Sequence, residues 1–187
     1  QSPQRALPCN QARPVGTFAV TAIAIRPERD GDAPTIVALT EAAFRDMPYA
    51  DGDEQELVDR LRADGDLALS LVAEDATRIV GHAAFSPVTI SDGSEGWFGL
   101  GPVSVWPELQ RQGIGSALIK RGIADLRESG GRGIVLVGDP AYYARFGFEC
   151  DPVLRYNGAE PRYFQRLVLE GDAPRGAVSF APAFSAA

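Results

Sequence analysis

The sequence predicts a mixed α/β sandwich of one domain. Two kinds of apolar pattern carry that prediction. Apolar and β-branched residues alternate over 18–26, 67–74, 79–90 and 97–105, the signature of strands. They recur at helical spacing in Ile36, Leu39, Ala43 and Phe44, in Leu57, Val58 and Leu61, and in Ile114, Leu118, Ile119, Ile123 and Leu126. A third observation fixes the class. The continuous apolar run Ile134-Val135-Leu136-Val137 after the last long helix reads as a strand covered on both faces. A chain of 187 residues is long enough to bury a sizeable core.

Each element has its own local reason. Residues 1–17 mix Pro, Gln, Arg and Ser without period and read as a flexible lead-in, with the domain spanning 18–187. The first strand, 18–26, stops at Pro27. Asp32 is an N-cap candidate for the first helix, with Pro34 in its first turn. Met47 to Asp53 breaks that helix, and a second starts from Asp51 or Asp53 and ends at Asp64-Gly65-Asp66. Strands 67–74 and 79–90 form a hairpin about Asp75-Ala76-Thr77-Arg78. A further turn, 91–96, leads into strand 97–105, completing an antiparallel meander. The helix from Gly113 to about Ser129 is stopped by Gly130-Gly131. Asp139-Pro140 opens a short helix that Gly147 closes, and 163–170 and 178–180 read as the last strands.

Composition excludes several classes. A net charge of −7 speaks against a nucleic-acid surface, which needs a basic face. No long uncharged apolar run predicts a membrane span, and a cytoplasmic protein is the expectation. Cys9 and Cys150 are too few for a disulfide framework, and Cys150 reads as a packed thiol. With His82 the lone histidine, no metal site is expected.

The stretch with most chemical content is Gln110-Arg111-Gln112-Gly113-Ile114-Gly115-Ser116. It joins a strand to a helix through glycines, which turns backbone N–H groups outward at the positive end of the helix and suits a phosphate. A nucleotide-binding P-loop needs Gly-Lys-Ser/Thr, and no Lys precedes Ser116. A dinucleotide fingerprint needs a third glycine and a parallel βαβ unit. A tight turn without a ligand is the plain alternative.

The wider context narrows the choice. Gln110 to Gly115 resembles the Arg/Gln-x-x-Gly-x-Gly/Ala motif of the GNAT acetyltransferase superfamily. Ile25-Arg26-Pro27 and Pro107-Glu108 are similar to family positions before it, and Tyr143-Ala144-Arg145-Phe146-Gly147-Phe148 resembles the family's Tyr-x-x-x-Gly-Phe segment. Ser86-Pro87-Val88 and Gly138 to Tyr143 look closest to a small bacterial branch. The likeness runs from about Val20 to Phe184. It implies the GNAT acyl-CoA N-acyltransferase fold: a mixed central sheet flanked by helices, its fourth and fifth strands splayed apart.

The resemblance also implies acetyl-CoA as cosubstrate, with no metal. Its pyrophosphate would rest on Gln110, Arg111, Gln112, Gly113, Ile114 and Gly115, with Ser116 nearby. Its pantetheine arm would pair with the strand at Val103 and Val105, beside Pro102, whose missing N–H marks disturbed pairing. Asp139 stands where many relatives carry Asn, and it can equally cap the following helix. Tyr143 falls at the general-acid position, with aromatic packing as its other reading. Tyr142 and Tyr143 differ by about 100° around the helix, so one should face the cleft and the other the core. No base is identified. His82 is either a base or a packed histidine, and Glu95, Ser104 or a water chain are further options.

Acceptor binding is expected at the break from Phe44 to Glu56, where Asp46, Asp51, Asp53, Glu54 and Glu56 suit a cationic amine or simply a helix start. The function implied is direct acetyl transfer to a small-molecule amine in a ternary complex. A catalytically silent CoA-binding module and a protein acetyltransferase are the alternatives. The family resemblance also admits a homodimer.

Overall fold

The computed structural model describes residues 22–48 and 52–185. The lead-in, the start of the first strand, and Tyr49, Ala50 and Asp51 therefore lie outside the described residues. The chain runs β1 (Ala24–Pro27), α1 (Ala33–Phe44), α2 (Glu54–Asp64), β2 (Leu69–Glu74), β3 (Ile79–Pro87), β4 (Thr89–Ile90), β5 (Trp97–Val105), α3 (Ile114–Glu128), β6 (Gly133–Val137), α4 (Pro140–Tyr143), β7 (Leu154–Arg155), β8 (Phe164–Val168) and β9 (Gly176–Ser179).

Two sheets result, a six-stranded one in the order β1-β2-β3-β5-β6-β8 and a three-stranded one in the order β4-β9-β7. In the larger sheet every neighbouring pair is antiparallel except β5 and β6. That parallel pair holds only from Trp97–Gly133 to Gly99–Val135. Beyond Gly99 the two strands part, which is the splay implied by the resemblance. Close to the same point β5 bulges against β3. Ala83 faces Val103 but Phe85 faces Leu100, so Gly101-Pro102, joined by a cis peptide bond, sits inside the irregularity. Pro102 thus marks disturbed pairing, as the sequence predicts.

Side-chain alternation along β3 sorts the core into two layers. One face is roofed by α3. A Cβ on Gly81 would stand 2.9 Å from Ile114 Cγ2, and one on Gly122 would stand 2.2 Å from Phe85 Cζ. The missing side chains let helix and sheet approach closely. The opposite face, with Val72, Ile79 and Ala84, is covered by Ile36 of α1 and Val58 of α2. Val88, Ile90, Trp97, Val135, Leu154, Phe164 and Val178 fill the space where the small sheet packs.

Three expectations are corrected, and one strand is added. The predicted strand 79–90 divides at Val88, whose N–H donates to Trp97 O at 3.0 Å, after which Thr89 and Ile90 pair with β9. The two-residue strand β7 has no counterpart in the sequence reading. Asp32 stands at the start of α1 but makes no side-chain cap. Its carboxylate instead accepts from Arg26 Nη1 at 2.7 Å and Arg29 N at 2.8 Å, and the Arg26 guanidinium holds it below the usual carboxylate range. Cys150 is exposed rather than packed, with its thiol on Arg162 O at 3.1 Å.

Candidate active site

The strand-to-helix turn between β5 and α3 is fixed by its own side chains. Gln110 folds back so that Nε2 donates to Val105 O at 3.1 Å, and Gln112 Nε2 donates to Glu108 O at 3.3 Å. Arg111 and Gly113 adopt left-handed backbone, φ 60° and 89°. For Gly113 this is free of strain, and it turns the chain into α3. The first helical bond runs from Ala117 N to Gly113 O at 2.9 Å. The N–H groups of Ile114, Gly115 and Ser116 therefore have no partner within the helix. The first turn carries no acidic side chain to take their place. Donors and helix dipole together favour an anion there.

Beside this turn lies the free edge of β5. Trp106 N donates to Val80 O, and Ser104 stands opposite His82. By antiparallel alternation, the N–H and C=O of Val103 and Val105 then point away from β3, toward the opening left by β6. The Val105 carbonyl meets Gln110 there. Gly115 joins the two parts. A Cβ on it would stand 3.5 Å from Tyr142 Oη, 3.8 Å from Val105 Cγ2 and 3.9 Å from Val103 Cγ1.

The far wall comes from the end of β6 and α4. Asp139 caps α4, its Oδ1 accepting from Ala141 N at 2.9 Å. Tyr142 sends its hydroxyl to Ser116 Oγ, 3.4 Å away, and Arg145 lies over its ring at 4.6 Å. Tyr143 rests on Gly138, where a Cβ would stand 2.4 Å from Tyr143 Cε2, and packs edge-on to Phe148 at 5.9 Å. The Tyr142 and Tyr143 rings meet at 89°. Tyr142 thus reaches the α3 start, while Tyr143 lies at the end of β6. Gln165 of β8 braces the same turn, Nε2 donating to Gly138 O at 3.0 Å. That brace was missed in the sequence. Its one signal is an amide next to Phe164 in a short strand that also carries Arg166.

Val103, Val105 and the Gln110–Ser116 turn therefore border the cleft left where β5 and β6 part, Tyr142 reaches the same corner, and Asp139 and Tyr143 lie in the α4 turn at the end of β6. Its parts suit an extended ligand: anion donors at the α3 start, with the Tyr142 phenol beside them, and a strand edge running on from there. The acidic segment is less uniform. Glu54 and Glu56 lie in the first turn of α2, Asp53 pairs with Arg60, and Glu54 Oε2 accepts from Gly52 N at 3.1 Å. Those contacts serve a helix start; Asp46 and Glu56 are exposed, and Asp51 is outside the described residues. His82 is fully buried, and burial pushes its imidazole down to about 3. It is uncharged near neutral pH and has no opening to the cleft. Among the described residues no group of His, Cys, Asp and Glu could hold a metal ion, and no helix is long and apolar enough to cross a membrane.

Comparison with known proteins gives one consistent result. The family model described as an acetyltransferase (GNAT) domain matches residues 24–150. The uncharacterized N-acetyltransferase YhbS of Escherichia coli is 39% identical over 157 residues, covering 81% of this chain and 90% of YhbS. Among solved structures, a GNAT family acetyltransferase from Brucella melitensis in complex with acetyl-CoA is 48% identical, with a TM-score of 0.79 over 88% of this chain and 99% of that one. The Escherichia coli YhbS structure in complex with CoA has a TM-score of 0.81 at 34% identity, over 91% of this chain and 96% of that one.

Proposed function

The chain belongs to the GNAT acetyltransferase family, and from that premise we propose that it moves an acetyl group from acetyl-CoA directly to the amine of a small molecule. The observation that carries this reading is the meeting at Gly115 of the α3 start, the side chains of Val103 and Val105 on β5, and the Tyr142 hydroxyl. A diphosphate fits the N–H groups of Ile114, Gly115 and Ser116. Gly113 and Gly115 leave it room to approach the backbone. Gln110 and Gln112 act by bracing the turn, and Arg111 supplies positive charge beside it. The amide-bearing pantetheine arm fits the outward N–H and C=O of Val103 and the N–H of Val105, pairing as an added strand.

The chemistry follows from what each group can do. A neutral amine attacks the thioester carbon. The oxygen of the tetrahedral intermediate takes a hydrogen bond from a backbone N–H near Val103. The C–S bond breaks, the Tyr143 phenol gives its proton to the departing thiolate, and the proton lost by the attacking nitrogen passes through water to restore the phenol. Asp139 contributes by capping α4 and so fixing the two tyrosines. The acceptor enters at the break between α1 and α2, where the exposed carboxylates of Asp46 and Glu56 attract a cation.

The test is release of free thiol from acetyl-CoA across a panel of polyamines, aminoglycosides, amino acids and peptides, with calorimetric titration of acetyl-CoA alongside. Amine-dependent release with binding supports the proposal. Binding without release on any amine supports a silent CoA-binding module, and absence of binding removes the proposed ligand.

A further inference from the structure

On the α1-side face of the large sheet, a chain of hydrogen bonds runs inward from the surface. Arg62 of α2 pairs with Glu28 through Nη2–Oε1 at 2.5 Å. The other Glu28 oxygen holds Ser70 Oγ, and Ser70 Oγ lies 2.8 Å from His82 Nε2. A cavity of about 490 Å³, lined by Glu28, Arg62 and Ser70 among others, opens at the outer end. At the inner end, His82 is 0% exposed and its Nδ1 has no hydrogen-bond partner.

The direction of this chain can be derived. A carboxylate held by a guanidinium only accepts. Ser70 must therefore donate its single proton to Glu28, and can only accept from His82. That fixes the imidazole as the Nε2–H tautomer. Its Nδ1 is then a bare lone pair inside the core, an acceptor awaiting a donor.

One donor is placed to meet it. Ser104 of β5 is the direct cross-strand partner of His82, and opposed side chains on one face have Cβ atoms about 4.5–5.5 Å apart. In this structure the Ser104 hydroxyl instead donates to Thr40 Oγ1 at 3.3 Å, long for an O–H···O bond, which favours roughly 2.7–2.8 Å. Ser104 lies between Val103 and Val105, the residues whose opposite edge faces the cleft.

We propose that His82 is a positioning residue for the thioester seat: Arg62, Glu28 and Ser70 lock its tautomer, and its bare Nδ1 takes the Ser104 hydroxyl when acetyl-CoA pairs along β5. The contact pins β5 to β3 at the point where the arm loads its other edge. It rests on the acetyl-CoA reading above, and it assigns a role to the buried histidine that neither base catalysis nor plain packing supplies.

The single histidine makes the test direct. Nitrogen NMR of protein labelled with ¹⁵N at histidine reports one imidazole, titrated with acetyl-CoA while calorimetry monitors binding. The expected spectrum shows Nε2 protonated and Nδ1 bare. Acetyl-CoA should then move Nδ1 toward a hydrogen-bonded position and leave Nε2 in place. In Ser104→Ala the Nδ1 movement should vanish with the tautomer kept, and in Ser70→Ala the tautomer preference should be lost. In His82→Asn, whose side-chain oxygen can occupy the Nδ1 place, acetyl-CoA affinity should stay within about threefold; His82→Gln, which mimics Nε2, should bind about tenfold more weakly. A protonated Nδ1, or an Nδ1 signal unmoved while calorimetry shows acetyl-CoA bound, overturns the proposal. Absence of binding instead overturns the reading on which it stands.

Discussion

Tyr142 and Tyr143 illustrate how one backbone step separates two roles. Tyr142 reaches Ser116 at the start of α3, whereas Tyr143 lies on Gly138 where β6 ends. With Tyr143 as the proposed proton donor, Tyr143→Phe should lower kcat about tenfold to a hundredfold while acetyl-CoA affinity holds, because the ring packing on Gly138 and Phe148 survives. An unchanged kcat in steady-state assays would take Tyr143 out of the mechanism. His82 yields a separate prediction. Burial lowers its pKa from 6.5 to about 3. The unfolded chain therefore binds a proton below about 6.5 that the folded chain refuses. Stability is fully present above that pH and falls as pH drops toward 3, by about 1.4 kcal/mol per unit once well below 6.5. Urea unfolding between pH 6 and 4.5 should show this slope, and His82→Asn should flatten it. Asp32, Asp75, Asp92, Glu108 and Asp151, all held low, add their own losses only at lower pH.

At the scale of elements, the α3–β3 contact depends on absent side chains. Replacing Gly122 by Ala puts a methyl 2.2 Å from the Phe85 ring, whose side chain is fully enclosed. The expected cost is about 1–3 kcal/mol, read as a lower urea midpoint with an unchanged m-value. The elements also show what a sequence can reveal. The helices were legible because each has one buried face, so its period survives in the residues: Ile114, Leu118, Ile119, Ile123 and Leu126 line the side of α3 that packs on β3; β6 was legible for the opposite reason, a continuous apolar run buried on both faces. The division of 79–90 was not legible. Apolar residues continue across Pro87, and what separates Thr89 and Ile90 from β3 is pairing with Ser179 and Val178, some ninety residues onward. Strand β7 is two residues long, too short to carry any period. The turn Gln110–Ser116 was legible as a glycine-bearing passage from strand to helix, which is what the structure has there. The Glu28–Ser70–His82 chain was not, since its members come from three separate elements and share no spacing.

The whole molecule is arranged about the two edges and two faces of β5. One edge is held by β3 throughout, with a bulge at Gly101-Pro102; the other is released by β6 after Gly99. The released edge, the α3 start and Tyr142 border the cleft, and α1 and α2 cover the opposite face of the sheet. A net charge of −7 would add an overall attraction for the cationic acceptor proposed above. The central claim is that acetyl-CoA occupies this cleft and is held by backbone. A crystal structure with acetyl-CoA tests it most directly. The account predicts pyrophosphate oxygens within hydrogen-bond distance of the N–H groups of Ile114, Gly115 and Ser116, pantetheine amides paired with Val103 and Val105, and the sulfur beside Tyr143. A ligand seated elsewhere, or a thioester remote from Tyr143 with β5 unpaired, would contradict it.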